Sequence, residues 1–174
     1  ERSTDSSAVV RVWAITLGDK ALAWNQYVHV AWPGARLSFF VDGYVRVKPD
    51  ALSLLQNSLA SSPSFLGGTG VPTVGRTAAK SRLYMLAKGG LQGNLFALTE
   101  ATMWKIRHSQ FKLPLGLYRT DSTLGAALAY GFDPSRNSWD LKNRILVHPG
   151  VTWTTEKKKW WRFGDVRTQF NRAI

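Results

Sequence analysis

Residues 38–52, SFFVDGYVRVKPDAL, run from apolar chain directly into a carboxylate. Residues 37–41 (LSFFV) form a short continuous apolar run, the pattern of a strand buried on both faces. That run ends on Asp42. Pro49 suits the first position of a helix that reaches about Ala60. An acid just past the carboxyl end of a buried strand sits where open α/β sheets place their ligands. A site holding a cation or a polyphosphate would need it there. Asp-Gly is also a common turn pair, so position alone leaves Asp42 open between a site residue and a turn aspartate.

Working outward, residues 8–17 (AVVRVWAITL) are β-branched and apolar and read as a strand. Gly18 and Asp19 turn the chain. Residues 20–32 carry Ala21, Trp24, Val28 and Ala31 at helical spacing, and Pro33-Gly34 ends that helix. Residues 61–76 (SSPSFLGGTGVPTVGR) are rich in Gly, Pro and Ser and read as a long loop. Helices are expected over 78–88, 100–108 and 121–132, and strands over 94–99 and 144–155. Strands alternate with helices through the first half. The expected fold class is therefore α/β, with a mostly parallel central sheet flanked by helices. No internal repeat or linker divides the chain, so residues 1–174 are expected to form one domain.

The sequence has 174 residues, enough for one domain with a sizeable core. It has no cysteine, which removes disulfides, thiolate metal sites and a cysteine nucleophile. No apolar run is long enough to span a bilayer, and no signal-peptide pattern opens the sequence. The net charge of +12 favours partners that carry phosphate: nucleic acid, anionic lipid or a phosphorylated substrate. Eight tryptophans could serve core, sugar stacking or a membrane interface, and Trp104 and Trp139 are candidates to stack on a sugar.

Several segments in order resemble the middle of a family 2 glycosyltransferase. GDKALAWN (residues 18–25) matches its helix-opening GK-A-x-A-x-N segment through Lys20, Ala21, Ala23 and Asn25. FFVDGYVRVKPDAL matches a strand ending in an Asp-x-Asp element and a Pro-Asp-Ala-Leu helix start. GNLFALTEATMWKI (93–106) resembles the strand and helix near the acceptor site. LPLGLYRTDSTLGAAL (113–128) resembles the segment that carries the catalytic acid, and TQFNRAI (168–174) the Gln-x-x-Arg-Trp element. The resemblance runs from about residue 8 onward. Tyr44 stands where the second acid of Asp-x-Asp is usual, Thr120-Asp121 where Glu-Asp is usual, and Ala173 where the tryptophan is usual.

The resemblance implies a GT-A nucleotide-sugar-binding fold and transfer of a sugar, with inversion, from a nucleotide donor to an acceptor hydroxyl. Such domains begin with a further strand–helix unit that binds the base; none is seen before Ala8, so a domain shortened at its amino end is expected. It implies Asp42 as ligand to Mg²⁺ or Mn²⁺, ions suited to carboxylates beside substrate phosphates. Asp121 would be the base that takes the acceptor's proton; an Asp opening a helix is also a good N-cap, and the two roles are compatible. Lys20, Asn25, Asp42, Gly93, Gln169 and Arg172 would bind substrate, Arg172 by bidentate phosphate contacts. Lys20 is equally readable as a solvated lysine at a helix start, and the Gln169–Arg172 pair as a surface pair.

Residues 157–163 (KKKWWRF) interleave cations with aromatics. A membrane-surface patch, a nucleic-acid groove and a solvated basic turn all fit this pattern. The resemblance favours a lipid-linked or other sugar acceptor, a cytoplasmic protein peripheral on the membrane, and no nucleic-acid partner. Two rivals remain: a basic nucleic-acid-binding module, and an inactive glycosyltransferase-like binding protein, which Tyr44 supports. GVPTVGRT (70–77) nearly matches a phosphate-binding loop, but Arg76 replaces its lysine and Pro72 interrupts it; a mobile lid suits the segment better. His29, His108 and His148 lack metal spacing, and His29 reads as packing.

Overall fold

A computed structural model describes residues 9–155. The tail element containing Gln169 and Arg172, and the basic-aromatic run at 157–163, lie outside the described residues. Helix α1 (Lys20–Gln26) is followed by a π-helical turn (Tyr27–Ala31), strand β1 (Leu37–Val41), strand β2 (Val45–Val47) and helix α2 (Ala51–Ala60). Strand β3 (Gly67–Thr69), α3 (Ala78–Lys88), β4 (Leu95–Thr99) and α4 (Glu100–His108) come next. The described chain closes with α5 (Thr120–Ala129), α6 (Leu141–Arg144), β5 (Ile145–Val147) and β6 (Trp153–Thr155). No helix among the described residues is long and apolar enough to cross a membrane.

The main sheet has the order β1-β4-β3-β5. β4 runs antiparallel to both β1 and β3, and only β3 and β5 are parallel. The class is mixed α/β as expected, but the sheet is not mainly parallel. The alternation misled because a parallel crossover needs a helix that lays an apolar stripe on the sheet. α3 buries only Ala78 and Met85 and leaves Leu83 and Tyr84 in solvent. It bridges the end of β3 to an oppositely directed neighbour instead.

β4 is the strand buried on both faces, not β1. Phe96 and Leu98 enter one core with Trp24, Met103, Ile106 and Leu124; Leu95 and Ala97 enter the other with Leu55, Leu59 and Trp153. This alternation is the period-two geometry of a strand, and covering both faces makes the whole run apolar. β1 lies at the end of the described sheet, and its outermost residue, Val41, is exposed.

The stretch expected to be a long loop contains β3, whose three residues are all buried. Its glycines are there for close packing. A Cβ on Gly67 would sit 2.5 Å from the Ala97 carbonyl oxygen, and one on Gly70 would collide with the Val151 carbonyl oxygen. Gly67–Thr69 is therefore core rather than loop.

Residues 9–17 form no strand, and Val9, Val10 and Val12 are all exposed. The long strand expected over 144–155 is two strands, since Pro149-Gly150 breaks it; β6 pairs with β2, Val45 opposite Thr155. The helix expected over 20–32 widens after Gln26. There Trp32 N–H donates to the Tyr27 carbonyl (2.7 Å), and Arg107 Nη1 donates to the Val28 carbonyl (2.9 Å). His29 packs as expected, with Nε2 2.9 Å from the Phe111 carbonyl oxygen.

Replacing Gly70 by Ala should destabilise the fold by about 1–3 kcal/mol, since a backbone oxygen must move to admit the methyl group. Urea unfolding checks this. A midpoint equal to wild type would show that β3 and the 148–151 turn do not pack this closely.

Candidate functional site

Asp42 follows β1, and its N–H donates to the Asn94 carbonyl (3.2 Å), extending the β1–β4 ladder by one residue. Val45 N–H donates to the Asp42 carbonyl (2.9 Å), so Asp42 does open a tight turn. Its carboxylate nonetheless points to neighbours from other elements. Oδ1 lies 2.6 Å from Lys20 Nζ, and Oδ2 accepts from the Tyr44 hydroxyl at 3.0 Å. Trp153 Nε1–H can only donate, so it fixes the Asn94 amide oxygen on its side (2.9 Å). That leaves the amide nitrogen 3.3 Å from Asp42 Oδ2.

Lys20 is the first residue of α1. Asp19 caps that helix through Oδ1, which accepts from Leu22 N–H at 2.7 Å. Asp19 Oδ2 accepts from Gly116 N–H (2.7 Å) and ties the loop before α5 to the same corner. These backbone bonds, Leu22 first and then Gly116, hold the Asp19 carboxyl below the ordinary carboxylate value.

Asp121 is the second residue of α5. Its Oδ2 accepts from Gly93 N–H at 3.3 Å and its Oδ1 from Ser122 N–H at 3.0 Å. Gly93 has to be small: a Cβ there would press on the Asp121 side chain at 3.2–3.3 Å.

Lys20, Asp42, Gly93 and Asp121 line a common cleft with two lobes. One lobe, about 350 Å³, is walled by Trp24, Tyr27, Phe40, Phe96, Leu113 and Leu124. Trp24 Nε1–H is buried in that wall and has no acceptor among the described residues. The other, about 640 Å³, is more polar and is lined by residues that include Asp19, Tyr44, Asn94, Gly116, Arg119 and Ser122. An apolar lobe beside a polar, charged one suits a ligand with a flat or hydrocarbon part and an anionic part.

Four expected site residues thus meet. Asn25 does not join them. Its side chain brackets the Leu113 backbone, donating to the carbonyl (2.8 Å) and accepting from the N–H (2.9 Å). Trp104 packs on Trp32 with ring centres 5.1 Å apart, Trp139 packs on Tyr130 at 5.4 Å, and neither lines the cleft. Sequence reasoning missed Asn94 and Arg119. It took Asp19 as a turn residue, although an Asp one position before a helical run is an N-cap signal.

A divalent cation, which takes oxygen ligands, would have to compete with donors that the carboxylates of the cleft already hold. Asp42 has an ammonium on one oxygen and hydrogen-bond donors on the other. Asp19 and Asp121 each accept backbone N–H bonds on both oxygens. Among the described residues no group of three or more His, Asp or Glu side chains is arranged to hold a metal.

The chain matches no protein-family model and no curated protein.

The depressed Asp19 pKa has a consequence for acid stability. Its stabilisation is complete above the unfolded value, about 3.9, and fades as pH falls through the lower folded value. Asp19→Ala should therefore unfold at lower denaturant than wild type at neutral pH, with the gap closing as pH falls through the lowered folded value. A gap that persists unchanged into that acid range would show that the ionised carboxylate is not what ties the loop to α1.

Proposed function

We propose that the chain is an inverting glycosyltransferase that moves a sugar from a nucleotide-sugar donor to an acceptor hydroxyl. The observation that carries this reading is the shared cleft of Lys20, Asp42 and Asp121, residues far apart in sequence that the resemblance had assigned to one site. Its apolar lobe suits a nucleoside base or sugar face, and its polar lobe suits a diphosphate. A sugar or lipid-linked acceptor, taken up at a membrane surface, belongs to the same proposal.

The chemistry needs a base and a stabiliser of developing negative charge. A carboxylate offers about four lone-pair sites, and Asp121 uses two of them on backbone N–H groups. Those bonds hold the side chain in place and leave it able to accept an acceptor hydroxyl. As the hydroxyl oxygen bonds to the anomeric carbon, its proton passes to Asp121. The bond from that carbon to the diphosphate oxygen breaks on the opposite face, and the nucleoside diphosphate leaves. Cations at the polar lobe meet the charge that grows on the leaving oxygen.

One observation favours a second reading. Tyr44 stands where an acid is usual and donates to Asp42, an arrangement that also suits a binding protein without transfer activity. Calorimetry against a panel of nucleotide sugars, followed by a transfer assay on those that bind, separates the two. Binding without transfer or donor hydrolysis supports the second. The nucleic-acid alternative requires salt-sensitive DNA or RNA binding and no nucleotide-sugar binding.

Asp121→Asn should keep donor affinity and lower the transfer rate by about 10²–10⁴-fold, the usual contribution of a general base. Transfer at the wild-type rate would remove Asp121 from that role.

A further inference from the structure

We propose that this cleft takes a diphosphate-bearing ligand without a divalent cation, Lys20 and Arg119 supplying the positive charge. The proposal rests on the nucleotide-sugar reading above and goes beyond it by reassigning the residue that meets the phosphates.

The argument starts from what each charged group already holds. An ammonium carries three donors. Lys20 Nζ gives one to Asp42, and its side chain is 51 % exposed at the mouth of the cleft, so donors remain for a ligand. Exposed pairs of this kind contribute little to stability, because solvent screens them. The pair's effect is therefore positional: Asp42, only 14 % exposed and held by Tyr44 and Asn94, fixes where the ammonium sits. Asp42 is a positioning residue on this account rather than a metal ligand.

Arg119 lines the polar lobe directly before α5 and has no acidic partner among the described residues. Its guanidinium can take two phosphate oxygens at once. Each phosphate of a diphosphate diester carries a negative charge, and the two cations flank the lobe that would hold them. A metal ion placed at Asp42 would instead have to displace the ammonium and the donors on the other oxygen. The other two acids of the cleft, Asp19 and Asp121, each already hold a backbone N–H on both oxygens, which fixes their carboxylates toward this chain's own loops.

The test titrates uridine, guanosine and thymidine diphosphates into the full chain, in EDTA and in Mn²⁺. The expected result is that at least one binds with the same affinity in both media. Lys20→Gln and Arg119→Gln should each weaken that binding by about tenfold, the loss of a charge-assisted hydrogen bond. Their thermal midpoints should match wild type; Arg119→Gln alters an exposed side chain and keeps the test valid if Lys20→Gln folds poorly. Binding that requires Mn²⁺, or that neither substitution weakens, overturns the proposal. Electron paramagnetic resonance of Mn²⁺ with the ligand-free protein is an independent arm. A saturable Mn²⁺ site abolished by Asp42→Asn overturns the metal-free assignment while leaving the nucleotide-sugar reading intact. If no diphosphate binds in either medium, both fall together.

Discussion

The antiparallel register of β1 on β4 is the constraint from which the cleft follows. Val41 faces Leu95, so the next residue on one strand, Asp42, meets Asn94 just before the other. Gly93 then lies one step further, at hydrogen-bond distance from Asp121. One pairing therefore sets three positions on the rim: Asp42, Asn94 and Gly93. The register is held by cross-strand contacts. Phe40 stands opposite Phe96, with ring planes 8° apart and centres 4.7 Å apart. Such aromatic pairs contribute about 0.2–1 kcal/mol each. A slip of one residue would turn both cores inside out, because Leu95 and Phe96 face opposite sides.

The helices add the remaining groups through their ends. α1 brings Lys20 to the cleft at its first residue, and Asp19 holds both that helix start and the Gly116 loop. α5 brings Asp121 by its first turn, with Leu124 and Leu128 anchoring it in the core that β4 shares. Asn25 has a structural role. It pins Leu113, and with it the start of the loop that carries Arg119. The polar rim is thus built on a backbone fixed by burial, which is how a solvent-facing site keeps its geometry.

Much of this was legible in the sequence. The helices over Ala78–Lys88 and Glu100–His108 have the bounds that their spacing predicts, and β4 starts one residue inside its expected range. Lys20, Asp42, Gly93 and Asp121 were chosen through a resemblance and stand on one cleft. Strand direction was not legible, because alternation of strands and helices says nothing about which end of the sheet a short helix such as α3 returns to. β3 was hidden because its glycines read as loop, when their smallness serves packing against Ala97 and Val151. Asn94 and Arg119 carried no local signal; only the register and the loop anchor bring them to the rim. β-branched content overstated residues 9–17, which have no strand partner among the described residues.

The central claim is that the Asp42–Asp121 cleft is where an anionic ligand binds. Backbone amide shifts of the ¹⁵N-labelled protein, followed during titration with uridine diphosphate in EDTA, test it most directly. The account predicts saturable shifts at Lys20, Asp42, Gly93, Arg119 and Asp121, with the remote α3 surface around Leu83 and Tyr84 unmoved. Shifts confined to another face of the molecule, or none at any concentration, would contradict it.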